Sequence, residues 1–189
     1  MKNTEHIRKE AINILRSQGT ILYPTDTVWG LGCDARDSVA VEKIYRLKNR
    51  PDSKSLIVLV SDFEMLEDYL ERIPKGLKEF LNKQSRPTSV VYGHPKGFAN
   101  NTIATNGSIA IRIVQDRFCQ EMIREFGAPI VSTSANISGN ATPRSFKEIS
   151  PVILEKVNYV LNLQPEQENT QSSKIVIYND DGSIEVLRE

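Results

Sequence analysis

Three short segments of this 189-residue chain collect side chains able to handle charged ligands. The first, YPTDTVWGLGCDA (23–35), sets two threonines around an acid, after a proline and ahead of two closely spaced glycines. Hydroxyls and free backbone N–H groups at a strand end are where α/β proteins hold ligands. The spacing is neither G-x-G-x-x-G nor a phosphate loop, so taken alone it is better read as a turn that lets two elements pack. The second segment is KNRPDSK (48–54). From Lys43 to Lys54 the chain carries Lys43, Arg46, Lys48, Arg50 and Lys54 against a single acid, Asp52. Basic residues suit a helix C-terminus in any protein. Yet Lys48 and Arg50 flank Asn49 just before Pro51, and two cations brought to one cleft suit a polyphosphate, Lys as a point charge and Arg as a planar fork. The third segment, VSTSANISGNATP (131–143), offers Ser132, Thr133, Ser134, Asn136, Ser138 and Thr142. These are neutral donors for a ligand whose charge is met elsewhere, or the members of a self-bonded Ser/Asn turn.

The elements that must position these groups follow from hydrophobic period and turn chemistry. Ile7, Ala11, Ile14 and Leu15 share one face of a helix that Thr4 could cap and Gly19 could end. A short strand at 20–23 stops at Pro24. A second helix, from about Ser38, carries Val41, Ile44, Tyr45 and Leu47 and finishes near Pro51. The run SLIVLV (55–60) reads as a strand covered on both faces. Capping boxes are read at 61–64 and 145–148. Further helices are expected at 76–83 and 116–126, and strands at 89–92, 108–114, 129–133 and 158–163. In the strand at 108–114, Ile109, Ile111 and Ile113 point one way and Ala110 and Arg112 the other. A closing hairpin, SKIVIY-NDDG-SIEVLR, turns at 179–182. The fold class is α/β, one mixed, twisted sheet flanked by helices in a single domain, 1–189. The polar stretch 164–172 reads as a mobile loop or lid.

Composition narrows the function. Lys plus Arg number 24 and Asp plus Glu 24, so the formal net charge is zero and any basic site must be local. No run of about 18 apolar residues exists to span a membrane. The N-terminal stretch is polar and unlike a secretory signal. Two Cys and two His provide neither a disulfide framework nor a metal cluster, so no protein-held metal is expected. A cytoplasmic location is expected.

In order, PTDTVWGLG, KNRP, SIAIR (108–112) and STSANISG resemble the motifs P-T-[DE]-T-x-[WYF]-G-L-G, K-x-R-P, [ST]-x-A-x-R and S-T-S-A-N-x-S-G of the YrdC-like family of threonylcarbamoyl-AMP synthases. The likeness runs on into SSKIVIY and EVLR, and so covers nearly the whole chain. It implies a single YrdC-like domain, the family's short form, that makes L-threonylcarbamoyladenylate and pyrophosphate from ATP, L-threonine and bicarbonate. The product would pass to a downstream transferase machinery for t6A modification of tRNA. Residue by residue, the resemblance assigns Lys48, Arg50, Ser134 and Asn136 to catalysis and ATP, with Thr142 and Arg188 also on ATP. It assigns Thr25, Ser108, Arg112, Ser132 and Ser173 to threonine or bicarbonate. Mg2+ would arrive on the phosphates, which fits a chain without a dense carboxylate cluster. With no general base evident, positioning and electrostatics would supply most of the catalysis.

One segment departs from the family. Relatives carry W-P-G-P-[LV]-T where this chain has QSRPTS (84–89), keeping Pro87 and replacing Thr by Ser89. The YciO-like branch typically lacks the K-x-R and S-x-N residues, and this chain has both. The hydrogenase-maturation protein HypF has acylphosphatase and zinc-finger modules that are missing here. An RNA-binding or ribosome-maturation role is the remaining alternative, with the basic segment 43–54 touching tRNA or double-stranded RNA weakly. Few aromatics and zero net charge weigh against that as the main activity.

Overall fold

In the computed structural model, which describes residues 2–50, 56–163 and 171–189, the chain runs α1 (Lys2–Arg16), β1 (Ile21–Tyr23), β2 (Gly30–Asp34), α2 (Ser38–Lys48), β3 (Ile57–Val60), α3 (Phe63–Asp68), α4 (Leu77–Asn82) and β4 (Thr88–Tyr92). It continues through β5 (Ile109–Ile113), α5 (Arg117–Phe126), β6 (Ile130–Ser134), α6 (Pro151–Lys156), β7 (Tyr159–Val160), β8 (Lys174–Tyr178) and β9 (Ile184–Arg188). The strands form one sheet in the order β7-β1-β2-β6-β3-β5-β4-β8-β9. Pairs β1–β7, β3–β5 and β4–β8 are parallel and the others antiparallel. This is the mixed α/β sheet expected from the sequence. The apolar run of β3 lies at its centre, with Val58, Leu59 and Val60 fully buried.

Strand alternation gives the sheet two unlike faces. On one, Leu31, Val58, Val90, Ile111, Val131 and Val176 pack with Ala40, Val41 and Ile44 of α2, Leu66 of α3, Leu77 of α4 and Ile153 of α6. Each large aliphatic buried there stabilises the fold by about 1.5–3 kcal/mol. On the other face, Ile21, Tyr23, Leu59 and Ile130 pack with Ile7, Ala11 and Leu15 of α1 and with Cys119, Met122 and Ile123 of α5. These two helices cover only part of that face. Beyond them lie Gly30, Ala110 and Ser132, side chains too small to fill a core, and a cavity opens.

Several local expectations change in the structure. Helix α1 begins before Thr4, which therefore sits in its first turn rather than capping it. At its end Gln18 takes the left-handed conformation (φ 60°), and Gly19 is needed for close approach: a Cβ there would lie 2.5 Å from Ile14 Cγ2. The capping box read at 61–64 resolves into a different cap, Asp62 accepting from Met65 N at 2.9 Å while Ser61 bonds Asp62. At 145–148 the chain makes one 3-10 turn, Phe146–Glu148, with Glu148 accepting from Arg144 N. The strand expected over 158–163 shortens to β7. Strand β2 was not expected, and the helix signalled by the capping box at 145–148 begins only at Pro151, as α6. Of the expected lid, 164–170 lies outside the described residues.

Candidate functional site

The floor of the cavity is written in strand register. Gly30 pairs with Ser134 and Gly32 with Ser132, while Ile57 lies between Ser132 and Ala110. Alternation puts Ala110 and Arg112 of β5 on this face, as the IAIRI pattern requires. The cavity holds about 400 Å³ and is lined by Arg50, Arg112, Ser132, Ser134, Thr142, Ser173 and Arg188 among others. Thus seven residues expected at the site, drawn from five separated segments, meet in one place.

The loop after β1 is shaped by its threonines. Thr25 Oγ1 donates to Val28 O (2.8 Å), accepts from Thr27 N (3.0 Å) and lies 2.9 Å from Thr27 Oγ1. Thr25 is thus buried in the turn, and it is Thr27 that reaches the cavity. Asp26 forms an ion pair with Arg112 Nη1, and its second oxygen accepts from Gln115 N at 2.9 Å. Arg112 Nη2 donates to Thr27 Oγ1 (3.3 Å). Spacing gave no sign of these partners, because the pair joins residues far apart in the chain.

The KNR segment works through a helix end. Asn49 terminates α2 in the left-handed region (φ 49°, ψ 48°), a conformation Asn tolerates better than most side chains. Arg50 N then donates to Tyr45 O (3.0 Å), and the Arg50 side chain reaches the cavity wall. Lys48 turns inward instead. It is 1 % exposed, and its Nζ donates to Ser134 O (2.5 Å), Asn136 O (2.6 Å) and Asn136 Oδ1 (3.3 Å). Its own carbonyl accepts from Ser138 N (2.8 Å). Ser134 Oγ donates to Asn136 Oδ1 (2.5 Å), and Asn136 Nδ2 to Asn140 O (2.6 Å). Lys48 and Asn136 therefore stand behind Ser134 and fix the loop, and they are not themselves part of the cavity lining. Burial, helped by repulsion from Arg50, pulls the Lys48 ammonium down to about 7. Burial also lowers the Arg50 pKa.

At the other end of the cavity Arg188 folds back from β9, and its Nε and Nη2 donate to Ser173 O at 3.1 and 2.8 Å. Ser173 Oγ lies 2.9 Å from Ser89 Oγ, on the departing QSRPTS segment. Arg86 of that segment donates to Ser172 O (3.2 Å). Burial first, then Arg112 and Arg86, lower the Arg188 pKa. Ser108 stands apart: at the head of β5 its hydroxyl donates to Asn106 Oδ1 (2.7 Å), outside the cavity lining. Asp26, Thr27, Arg86 and Ser89 lie in the PTDT and QSRPTS segments read from the sequence, but no individual site role is assigned to them there.

Among the described residues no cluster of His, Cys, Asp or Glu could hold a metal ion, and no helix is long and apolar enough to cross a membrane. Three arginines around hydroxyls and backbone groups favour anionic ligands.

Known proteins give the same outline. A threonylcarbamoyl-AMP synthase of Stenotrophomonas maltophilia is 35 % identical over 156 residues, 80 % of this chain and 83 % of that one. One from Pseudoalteromonas translucida is 34 % identical over 171 residues, 87 % of this chain and 89 % of that one. Among solved structures, P. abyssi Sua5 complexed with L-threonine superposes with a TM-score of 0.81 at 25 % identity, covering 92 % of this chain. The chain spans about half of that protein, 51 % of its length. E. coli YciO shares the fold (TM-score 0.81, 23 % identity, 98 % of this chain and 89 % of that one). The Sua5/YciO/YrdC family model, described as "Telomere recombination", matches residues 13–189, and the chain belongs to that family.

Proposed function

We propose that this protein is a threonylcarbamoyl-AMP synthase, a nucleotidyltransferase that condenses ATP, L-threonine and bicarbonate into threonylcarbamoyladenylate. The observation that carries the reading is the single cavity joining Arg50 and Ser134 at one side to Ser132, Arg112, Ser173 and Arg188 at the other. It has room and charge for a nucleotide beside a small zwitterion.

The threonine amine attacks the carbon of bicarbonate, water is lost, and a carbamate results. A carbamate oxygen then attacks the α-phosphorus in line and pyrophosphate leaves. The carbamate is a weak nucleophile and both reactants are anions, so orientation and charge balance dominate the barrier. Arg50 and Arg188 would bear on the phosphates and reduce that repulsion. Lys48, held among the carbonyls of Ser134 and Asn136, would keep the Ser134 loop in place and add positive potential behind it. Arg112 is already matched by Asp26, so it would act less as a free charge than as an oriented donor beside Ser132. Thr142 would touch the nucleotide, and Ser173 the threonine or bicarbonate. The hydroxyls and arginines fit Mg2+ held by the phosphates rather than by the protein, and when bound that ion would neutralise charge on the leaving pyrophosphate. The product would serve t6A modification of tRNA through a downstream transferase.

The test is pyrophosphate release from ATP and Mg2+ by the purified protein. Release should require threonine and bicarbonate together; release indifferent to threonine would end this reading.

A further inference from the structure

Tyr23 takes no part in the chemistry above, yet its surroundings are unusual. The ring is fully buried and lies against β2: a Cβ at Gly32 would come within 2.8 Å of Tyr23 Cε1 and 3.4 Å of its hydroxyl. Gly32 pairs with Ser132, so the phenol is carried to the underside of that serine. The hydroxyl makes no well-formed hydrogen bond, its approach to Ser132 falling short of one, although such buried groups are nearly always paired. Ser132 is the nearby side-chain hydroxyl: a Cβ at Gly30 would meet both Ser132 Oγ, at 3.1 Å, and Tyr23 Cε1, at 3.5 Å. The other polar neighbours are engaged: Cys119 Sγ donates to Pro24 O (3.4 Å), and Asp26 holds Arg112 and Gln115 N. Burial raises the phenol's pKa far above its usual value, so it keeps its proton and can only donate or accept as a neutral group.

We propose that Tyr23 is a positioning residue for Ser132, its hydroxyl donating to Ser132 Oγ when the cavity is filled, so that the one proton of Ser132 points into the cavity. Ser132 then presents a donor and selects an acceptor, the planar oxyanion of a carboxylate or bicarbonate, over an amine. The nearby Arg112 has the same preference. Its Nε is also buried without a partner. Tyr23 itself is sealed from the ligand and acts only through the serine.

This inference rests on the synthase reading for the identity of the oxyanions, and equilibrium binding separates the two. Dissociation constants for L-threonine, by calorimetry, and for 13C-bicarbonate, by NMR titration, are measured on wild type, Tyr23→Phe, Ser132→Ala and the double variant. Tyr23→Phe removes one unpaired oxygen from the core and should leave the melting temperature unchanged or higher. It should weaken one of the two oxyanions about 3–10-fold, the magnitude of one hydrogen bond. The ligand affected identifies which oxyanion Ser132 holds. In the Ser132→Ala background the same change should have no further effect, a result that a packing role for Tyr23 would not give. Unchanged affinity for both ligands in Tyr23→Phe, losses that multiply in the double variant, or a wild type that binds neither ligand would each overturn the proposal. A protein that binds as described but releases no pyrophosphate would contradict only the synthase reading.

Discussion

Arg112 and Asp26 form an ion pair that is 4 % and 10 % exposed, tying the middle of β5 to the loop that follows β1. The pair fixes the guanidinium at the cavity wall and clamps the PTDT turn against Gln115. Deleting one partner of a buried pair strands the other charge and typically costs about 3–5 kcal/mol. Asp26→Ala should lower the unfolding free energy by about that amount in urea titrations. Replacing both residues by apolar ones should cost less than the single change. Near-wild-type stability of Asp26→Ala would mean that the pair is solvated.

Lys48 makes stability depend on pH. Its folded pKa, about 7, lies below the ordinary value of 10.5. Between those two values the unfolded chain holds more protons, so stability should rise with pH from about 7 towards 10.5 and gain nothing from this group below 7. Denaturation of wild type and Lys48→Met across that range checks the sign: the slope should be present in the first and absent in the second. Phosphates nearby would raise the Lys48 pKa, so nucleotide binding at pH 8 should take up a proton, measurable by calorimetry in buffers of different ionisation enthalpy.

The two glycines of β2 should differ in effect. A methyl on Gly32 would sit 2.8 Å from both Tyr23 Cε1 and Val131 O, a backbone atom that cannot yield. Gly32→Ala should cost roughly 1–3 kcal/mol through overpacking. A methyl on Gly30 meets Ser132 Oγ at 3.1 Å and Thr25 Cγ2 at 3.3 Å, on the cavity floor. Gly30→Ala should spare the fold more and raise the substrate KM. Thermal melts alongside initial rates distinguish the two.

Asn49 sets where Arg50 goes. Asn49→Ala places an unsuited side chain at φ 49° and should cost about 1 kcal/mol with a fall in kcat/KM, whereas Asn49→Gly should retain both stability and turnover. Equal losses in the two variants would show that the Asn side chain, rather than the backbone shape, matters.

How much of this could be read beforehand depended on the range of the interaction. The two faces of β5 follow from period 2 in IAIRI, and the central place of β3 from its unbroken apolar run. The gathering of KNR with STSAN was legible through the family motifs. Strand β2 was not, because two glycines in five residues lower strand propensity; the reason for Gly32 is the Tyr23 ring of a neighbouring strand, and Gly30 makes room for Ser132 and Thr25. Asp26 and Arg112 are 86 residues apart, so no local spacing could pair them. The same holds for Ser89 and Ser173, joined only by the parallel pairing of β4 with β8. In the 61–64 segment two adjacent residues could each cap α3, and Asp62, with the stronger acceptor, took the position.

The most direct measurement of the central claim follows the carbon of bicarbonate. Purified protein is given ATP, Mg2+, L-threonine and 14C-bicarbonate, and the nucleotides are separated at once. Expected is a labelled adenylate that forms only when threonine is present and falls at least about tenfold in Arg50→Ala, which loses a charge-assisted contact. Label absent from every adenylate, with ATP consumed or not, would contradict a synthase.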